Sequence, residues 1–164
     1  MLIGLISDIH DQEDNLHAAL QHLKDAGCTR LIFLGDIATP ATFRTLCAAW
    51  PHEIDLVLGN NDYPREQYMQ PAEQQSHRIH CHGDEGSLLL DNRCIFITHD
   101  PFYAVHAIDT GKYHAVFFGH THRAEQLELN GALVANPGDI QGRYGAPSCA
   151  VYETTTHTLK LIQL

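Results

Sequence analysis

Three short apolar runs set the frame of this chain: Leu2 to Ser7, Leu31 to Leu34 and Ile54 to Leu58. Each hands over to polar residues, at Asp8, Gly35-Asp36 and Gly59-Asn60. Between the runs the period changes. Leu16, Ala19, Leu20, Leu23 and Ala26 fall at helical spacing, with His17, Gln21 and Lys24 off that face. Gly27 suits a helix stop. Thr39-Pro40 supplies a cap followed by proline at the first helical position. Phe43, Leu46, Cys47 and Trp50 then form the next inward stripe. The start therefore reads β-α-β-α-β, a pattern that implies a parallel sheet with right-handed crossovers. In such sheets ligands bind at the C-terminal edge of the strands, where the polar handovers lie.

The remainder is richer in strands. Tyr63 to Ser76 is polar with two prolines and reads as a loop or short helix. Arg78 to Cys81, Leu88 to Leu90, Cys94 to Thr98 and Ala115 to Phe118 read as strands, with a short helix over Phe102 to Thr110. Gly83-Asp84-Glu85-Gly86 and Asp91-Asn92 mark turns between them. Further runs follow at Gln126 to Leu129, Leu133 to Ala135, Cys149 to Tyr152 and Thr158 to Ile162, with Asn130-Gly131 as a hairpin signal. The expected fold is α/β, with two packed sheets and helices outside. At 164 residues the chain is expected to form a single domain over 1–164.

Composition removes several function classes. Ten Lys and Arg against 20 Asp and Glu leave a net charge of −10. That balance argues against phosphate-backbone binding to long nucleic acid and against a polybasic membrane surface. No apolar run approaches the roughly 20 residues of a spanning helix. The start, MLIGLISDIH, lacks the basic region of a signal peptide. Five cysteines without C-x-x-C spacing point to buried free thiols in a reducing compartment, hence the cytoplasm. Thirteen histidines are many for this length, and His is the commonest metal ligand.

Five strand ends carry metal-type ligands: Asp8-x-His10, Asp36, Asn60, His99 and His120-x-His122. Residues two apart on an extended segment project to one side, so each D-x-H or H-x-H pair is expected to reach one point. Two carboxylates, four imidazoles and one amide make a mixed N/O set, suited to Mn, Fe, Zn, Co or Ni. Seven donors exceed one ordinary site and suit two ions sharing a carboxylate. Two divalent ions against two aspartates leave a positive spot in an acidic protein, which attracts a phosphate oxyanion. Ions roughly 3.5–4 Å apart can hold a hydroxide between them and clamp both oxygens of an in-line displacement. Phosphate-ester hydrolysis is the natural reaction.

The ordered set D-x-H, G-D, G-N-x-D, H, G-H-x-H resembles the calcineurin-like metallophosphoesterase superfamily. SDIHD, GNND, ITH, GHTH and NPG are similar to its small bacterial and archaeal phosphodiesterases, from Asp8 to about Ser148. The resemblance implies a four-layer αββα sandwich of two packed mixed sheets flanked by helices. It implies two divalent transition metal ions, Mn first, with Fe, Zn, Ni or Co as the others. Asp8, His10, Asp36 and His122 would bind one ion. Asp36, Asn60, His99 and His120 would bind the other, with Asp36 bridging.

Three positions depart from the family pattern. Asn61 stands where G-N-H-[DE] has an auxiliary His, Asp100-Pro101 follow His99 where H-G-H is frequent, and NPGS is NPGD at Asn136 to Asp139. With no auxiliary His acid, whose help is worth typically 10²–10⁴-fold, the enzyme is expected to favour good leaving groups. Asp100 and His106 are the first candidates for any acid. Asn61, Asp62 and Arg143 are the candidates for a supporting or substrate-binding set: Asp62 either orients the Asn60 loop or is a plain turn residue, and Arg143 either meets a phosphate bidentately or is a surface arginine. Tyr63, Tyr103 and Tyr144 flank the site loops and either wall a pocket or simply pack. His77, His80 and His82 read as a solvated strand. The expected partner is a small phosphate ester, and a homo-oligomer stays open. The competing reading is a low-activity or non-catalytic metal-binding scaffold or interaction module on the same fold.

Overall fold

The alternating start folds as its periodicity predicts. A computed structural model describes residues 1–164 in full. Strands β1 (Leu2–Ile6), β2 (Arg30–Phe33) and β3 (Glu53–Leu56) alternate with helices α1 (Glu13–Asp25) and α2 (Pro40–Ala49). Helix α3 (Glu66–Glu73) and strand β4 (Ile79–Cys81) follow, then β5 (Glu85–Leu90), β6 (Arg93–Thr98), α4 (Pro101–Asp109) and β7 (Ala115–Phe117). The chain closes with β8 (Ala124–Leu129), β9 (Ala132–Pro137), β10 (Ser148–Glu153) and β11 (Thr158–Gln163). One sheet runs β11-β10-β1-β2-β3-β4, the other β5-β6-β7-β9-β8. Both are mixed: β1 to β4 pair in parallel with β10 antiparallel to β1, and β6, β7 and β9 pair in parallel between antiparallel edges.

Side-chain alternation sorts the strands into three apolar interfaces. Ile3, Leu5, Ile32, Leu34, Ile95, Ile97 and Phe117 pack between the sheets. Leu31, Phe33, Ile54 and Leu56 face the other way, against Leu16, Leu20 and Leu23 of α1 and Phe43 and Leu46 of α2. Phe96, Val116 and Val134 face Ala104, Ala107 and Ile108 of α4. The result is the expected helix-sheet-sheet-helix sandwich. Local chemistry sets the ends of its elements. Thr39 Oγ1 accepts from Thr42 N at 3.4 Å and Pro40 opens α2. Asp91-Asn92 and Asn130-Gly131 all have positive φ, as two-residue hairpin turns require.

Some expectations change. Ala26 is not on the inward stripe: it is the exposed C-cap of α1. Glu85 and Gly86 are not turn residues, because β5 pairs with β6 from Glu85↔Thr98 onward. A side chain at Gly86 would lie 2.8 Å from the His82 ring, so glycine serves close approach there. Cys28, Cys47 and Cys149 are buried, whereas Cys81 and Cys94 are only half-buried. No helix is long and apolar enough to cross a membrane.

Candidate metal centre

The ligand-type residues lie just beyond the C-terminal ends of β1, β2, β3, β6 and β7; parallel pairing aligns the ends within each sheet, and the packing of the two sheets brings both sets together. Backbone bonds knit the loops together. Asp8 N donates to Gly35 O at 2.9 Å, Ile9 N to Asp36 O at 2.9 Å, and Gly119 N to His99 O at 3.1 Å. Gly59 permits a close approach, since a Cβ there would sit 2.1 Å from Asp36 Oδ1.

The pairs converge by a different route from the extended geometry expected. Asp8 (φ 53°), His10 (φ 44°), Asp36 (φ 62°), His120 (φ 70°) and His122 (φ 58°) all occupy the left-handed region. The strands have ended, and left-handed turns aim the side chains inward. Such non-glycine conformations cost on the order of 1–3 kcal/mol each and persist where neighbouring structure enforces them.

The donor atoms form two adjoining groups. In the first, Asp8 Oδ1 lies 3.4 Å from His122 Nε2 and 3.8 Å from His10 Nε2, which is 3.5 Å from Asp36 Oδ2. In the second, His99 Nε2 lies 3.5 Å from Asp36 Oδ2 and 3.1 Å from Asn60 Oδ1. His120 Nδ1 is 2.9 Å from Asn60 Oδ1 and 3.2 Å from His99 Nε2. Asp36 Oδ2 therefore adjoins both groups. All seven predicted ligand positions meet at one site.

Two features suit the cluster to cations. Asp8 Oδ1 and His10 Nε2 are buried with no hydrogen-bond partner, a state that costs about 1–3 kcal/mol per group unless something binds there. The separations also match donors shared by one ion, since ligands about 2.0–2.2 Å from a metal lie about 3–3.5 Å apart. Burial opposes ionisation of Asp36, but the His99 hydrogen bond and charge, with two bonds from Asn61, hold its carboxyl well below the usual range. Asp8 raises His10 against the opposing effect of burial. Burial lowers His99, yet Asp36 and Asp8 outweigh it and raise the imidazole. The pocket seeks positive charge.

Surrounding groups aim these donors. Asp8 Oδ2 accepts from Ser7 Oγ at 2.5 Å and His120 N at 3.0 Å, which leaves Oδ1 for the cluster. His99 Nδ1 lies 2.7 Å from Leu34 O, so Nδ1–H donates to that carbonyl and Nε2 keeps its lone pair. Asn61 donates to Asp36 twice, from N to Oδ1 at 2.8 Å and from Nδ2 to Oδ2 at 2.7 Å. Asp62 is fully buried and accepts from the backbone N–H groups of Asp36, Ile37, Ala38 and Gly59 at 2.8 to 3.2 Å. These bonds tie the loop after β2 to the loop after β3 that carries Asn60.

One buried carboxylate beside the cluster lies outside the expected set. Asp139, the D of NPGD, is buried and places Oδ2 2.8 Å from His122 Nδ1 and from Arg143 N. Its only signal in the sequence is a carboxylate where the family has Ser. Arg143 sits at the site through its backbone. Its exposed guanidinium lies 5.4 Å from the Tyr144 ring centroid, whose edge-on neighbour at 6.1 Å is His122. A 590 Å³ cavity runs past His122, Arg123, Asp139 and Tyr144, and Arg143 does not line it. Asp100 Oδ1 caps α4 by accepting from Phe102 N at 2.8 Å. His106 is exposed on α4, its ring 5.2 Å from Phe102. His82 is more than a solvated strand residue, since its Nε2 lies 2.9 Å from buried Asp55.

Comparisons with known proteins place the sequence and the fold. The sequence pattern described as the calcineurin-like phosphoesterase superfamily domain matches residues 1–157. Phosphodiesterase MJ0936 of Methanocaldococcus jannaschii is 30% identical over 163 residues, covering 94% of this chain and 93% of that protein. The solved structure of a novel archaeal phosphodiesterase superposes with a TM-score of 0.92 at 28% identity, covering 100% of both chains. Yfce, a phosphoesterase from E. coli, shares the fold at TM-score 0.72 and 17% identity over 99% of both chains. Vacuolar Protein Sorting 29 from Cryptosporidium parvum does so at 0.67 and 16%, over 99% of this chain and 96% of that one. The chain belongs to the calcineurin-like phosphoesterase superfamily.

Proposed function

We propose that this chain is a two-metal phosphodiesterase acting on small phosphate esters. The carrying observation is the place of Asp36 Oδ2, 3.5 Å from both His10 Nε2 and His99 Nε2, beside the unpartnered Asp8 Oδ1. Asp8, His10, Asp36 and His122 are the donors for one ion, and Asp36, Asn60, His99 and His120 for the other. Manganese suits this set, as do Fe, Zn, Ni and Co. When bound, the two ions supply water activated at neutral pH and positive charge opposite the phosphoryl oxygens.

The chain's own residues do the rest. Asp36 stays ionised because His99 and Asn61 favour its charged form, so it can be shared between the sites. Asp139 and Leu34 O hold His122 and His99 with Nε2 free. Asp62 locks the Asp36 and Asn60 loops at fixed separation. The buried cysteines are poor nucleophiles: burial pushes the Cys28 and Cys47 thiols up to about 11 and Cys149 up to about 12. Diester hydrolysis is favoured because the relatives similar over nearly the whole chain are named phosphodiesterases. The cysteines are all free, in keeping with a cytoplasmic setting. A non-catalytic scaffold is the weaker reading, since no ligand position has lost its donor.

The test is elemental analysis of bound metal, followed by assays of bis-p-nitrophenyl phosphate and p-nitrophenyl phosphate with Mn, Ni, Co, Zn and Mg. About one to two metal equivalents and faster diester turnover are expected. Absence of metal-dependent hydrolysis of either ester overturns the reading.

A further inference from the structure

A second cavity, of about 210 Å³, opens directly beside the metal donors. Gly59, Asn60 and His99 line one part of it, and Tyr63, Arg65 and Tyr103 line another, with the carboxylates of Asp84 and Asp100. Both tyrosines are unusually open for their size, Tyr63 at 61% exposed and Tyr103 at 43%. Each follows a ligand loop, Tyr63 after Asn60 and Tyr103 after His99. Single exposed aromatics need no explanation, but two that share one cavity with two metal donors do.

The neighbours fix both the position and the charge of this cleft. Arg65 stacks its guanidinium 5.4 Å from the Tyr63 ring centroid, and Asp84 Oδ1 holds Arg65 Nη2 at 2.5 Å. The ring is thereby backed on one side. Against that one cation stand two carboxylates, Asp84 and Asp100, so the cleft offers no spare positive charge for a second phosphate. Such a cleft suits an uncharged group, and its aromatic walls suit a flat one. Its volume lies below the roughly 300–1,000 Å³ of pockets for drug-sized ligands, which leaves room for one ring system rather than a polymer.

We propose that the cleft between Tyr63 and Tyr103 is a subsite for a flat aromatic group, an aryl ring or nucleobase, carried by the phosphodiester substrate. The proposal rests on the phosphodiesterase reading and deepens it. The phosphate goes to the seven donors, and one ester substituent lies among the aromatic walls. The substrate class becomes small aryl or nucleoside phosphodiesters rather than glycerol- or alkyl-linked ones.

Leaving-group chemistry alone also favours aryl esters, so the test uses ligands that have no leaving group. Manganese-loaded protein is titrated calorimetrically with phenylphosphonate and with methylphosphonate. Phenylphosphonate is expected to bind about tenfold more tightly, within the range of ring stacking on exposed aromatics. The ratio is expected to fall to near one in the Tyr63→Ala, Tyr103→Ala double variant and to persist in the Tyr63→Phe, Tyr103→Phe pair. Equal binding of the two phosphonates to the unmodified protein overturns the subsite and leaves the phosphoesterase reading standing. A preference that survives loss of both rings overturns it equally. Failure of both phosphonates to bind overturns subsite and phosphoester site together.

Discussion

Asp139 Oδ2 lies 2.8 Å from His122 Nδ1, and both side chains are buried. The carboxylate accepts the Nδ1 proton, fixes the tautomer and presents Nε2 toward Asp8 Oδ1 at 3.4 Å. Partners of this kind typically contribute 10–100-fold to metal affinity. Asp139→Ser is expected to weaken manganese binding by about that factor in a chelator competition, with Asp139→Asn intermediate because its amide oxygen still accepts. Unchanged affinity in the serine variant removes Asp139 from the site.

Asp36 adjoins both donor groups, so its loss should be felt by both ions. Asp36→Asn is expected to reduce activity by more than the roughly 10–100-fold typical of an outer partner, and to lower metal content to less than half. Elemental analysis beside a diester assay checks both. Full metal content with lost activity would show that Asp36 is not shared.

How much of this was legible in the sequence depended on how far apart the interacting groups lie. The seven ligand positions cluster at the ends of five apolar strands, so a reader of local pattern finds them one by one. Asp91-Asn92 and Asn130-Gly131 were equally readable, because two-residue hairpins need positive φ at both positions. The left-handed backbone of Asp8 and His10 was not, since it is enforced by bonds from Asp8 N and Ile9 N to the β2 loop. Asp139 reaches His122 across 17 positions and Asp62 reaches Asp36 N across 26, contacts that no window of periodicity contains. Glu85-Gly86 looked like a turn until pairing with β6 overrode its composition.

Asp62 accepts four backbone N–H groups from two loops. Truncating it leaves these donors without their acceptor, at about 1–3 kcal/mol for each one that stays buried and unpaired. Asp62→Ala is therefore expected to cost at least about 3 kcal/mol, or about 10 °C in Tm for a chain of this length. A melt shifted by less than about 3 °C would show that the loops hold without the clamp.

Asp55 supplies a pH signature away from the metal donors. Its carboxylate, buried on β3, meets Arg30 Nε at 2.6 Å and His82 Nε2 at 2.9 Å. Burial opposes its ionisation, but His82 and Arg30 outweigh burial and hold it below the ordinary range. The unfolded chain thus takes up this proton at higher pH than the folded one. The stabilisation is complete above the unfolded value of about 3.9 and is lost as pH falls through the folded value. Asp55→Asn is expected to cost about 2 kcal/mol in urea unfolding at pH 7 and progressively less as pH falls below about 4. A cost that stays constant into acid would assign the effect to packing.

Asn61 spends its side-chain amide on Asp36 Oδ2 at 2.7 Å and brings no acid to the departing oxygen. Asp100 is occupied at the start of α4, and His106 points its ring at Phe102 on the exposed side of that helix. Without a donor, the alkoxide must leave with its charge, so the rate should depend steeply on leaving-group acidity. General acid help is worth typically 10²–10⁴-fold, and that is the expected gap between p-nitrophenyl and alkyl leaving groups beyond their difference in binding. Measuring kcat, rather than kcat/KM, across methyl phosphodiesters of graded phenols and alcohols separates this effect from ring binding beside Tyr63 and Tyr103. A flat series would reveal a proton donor. Loss of that flatness in Asp100→Asn or His106→Gln would then identify it.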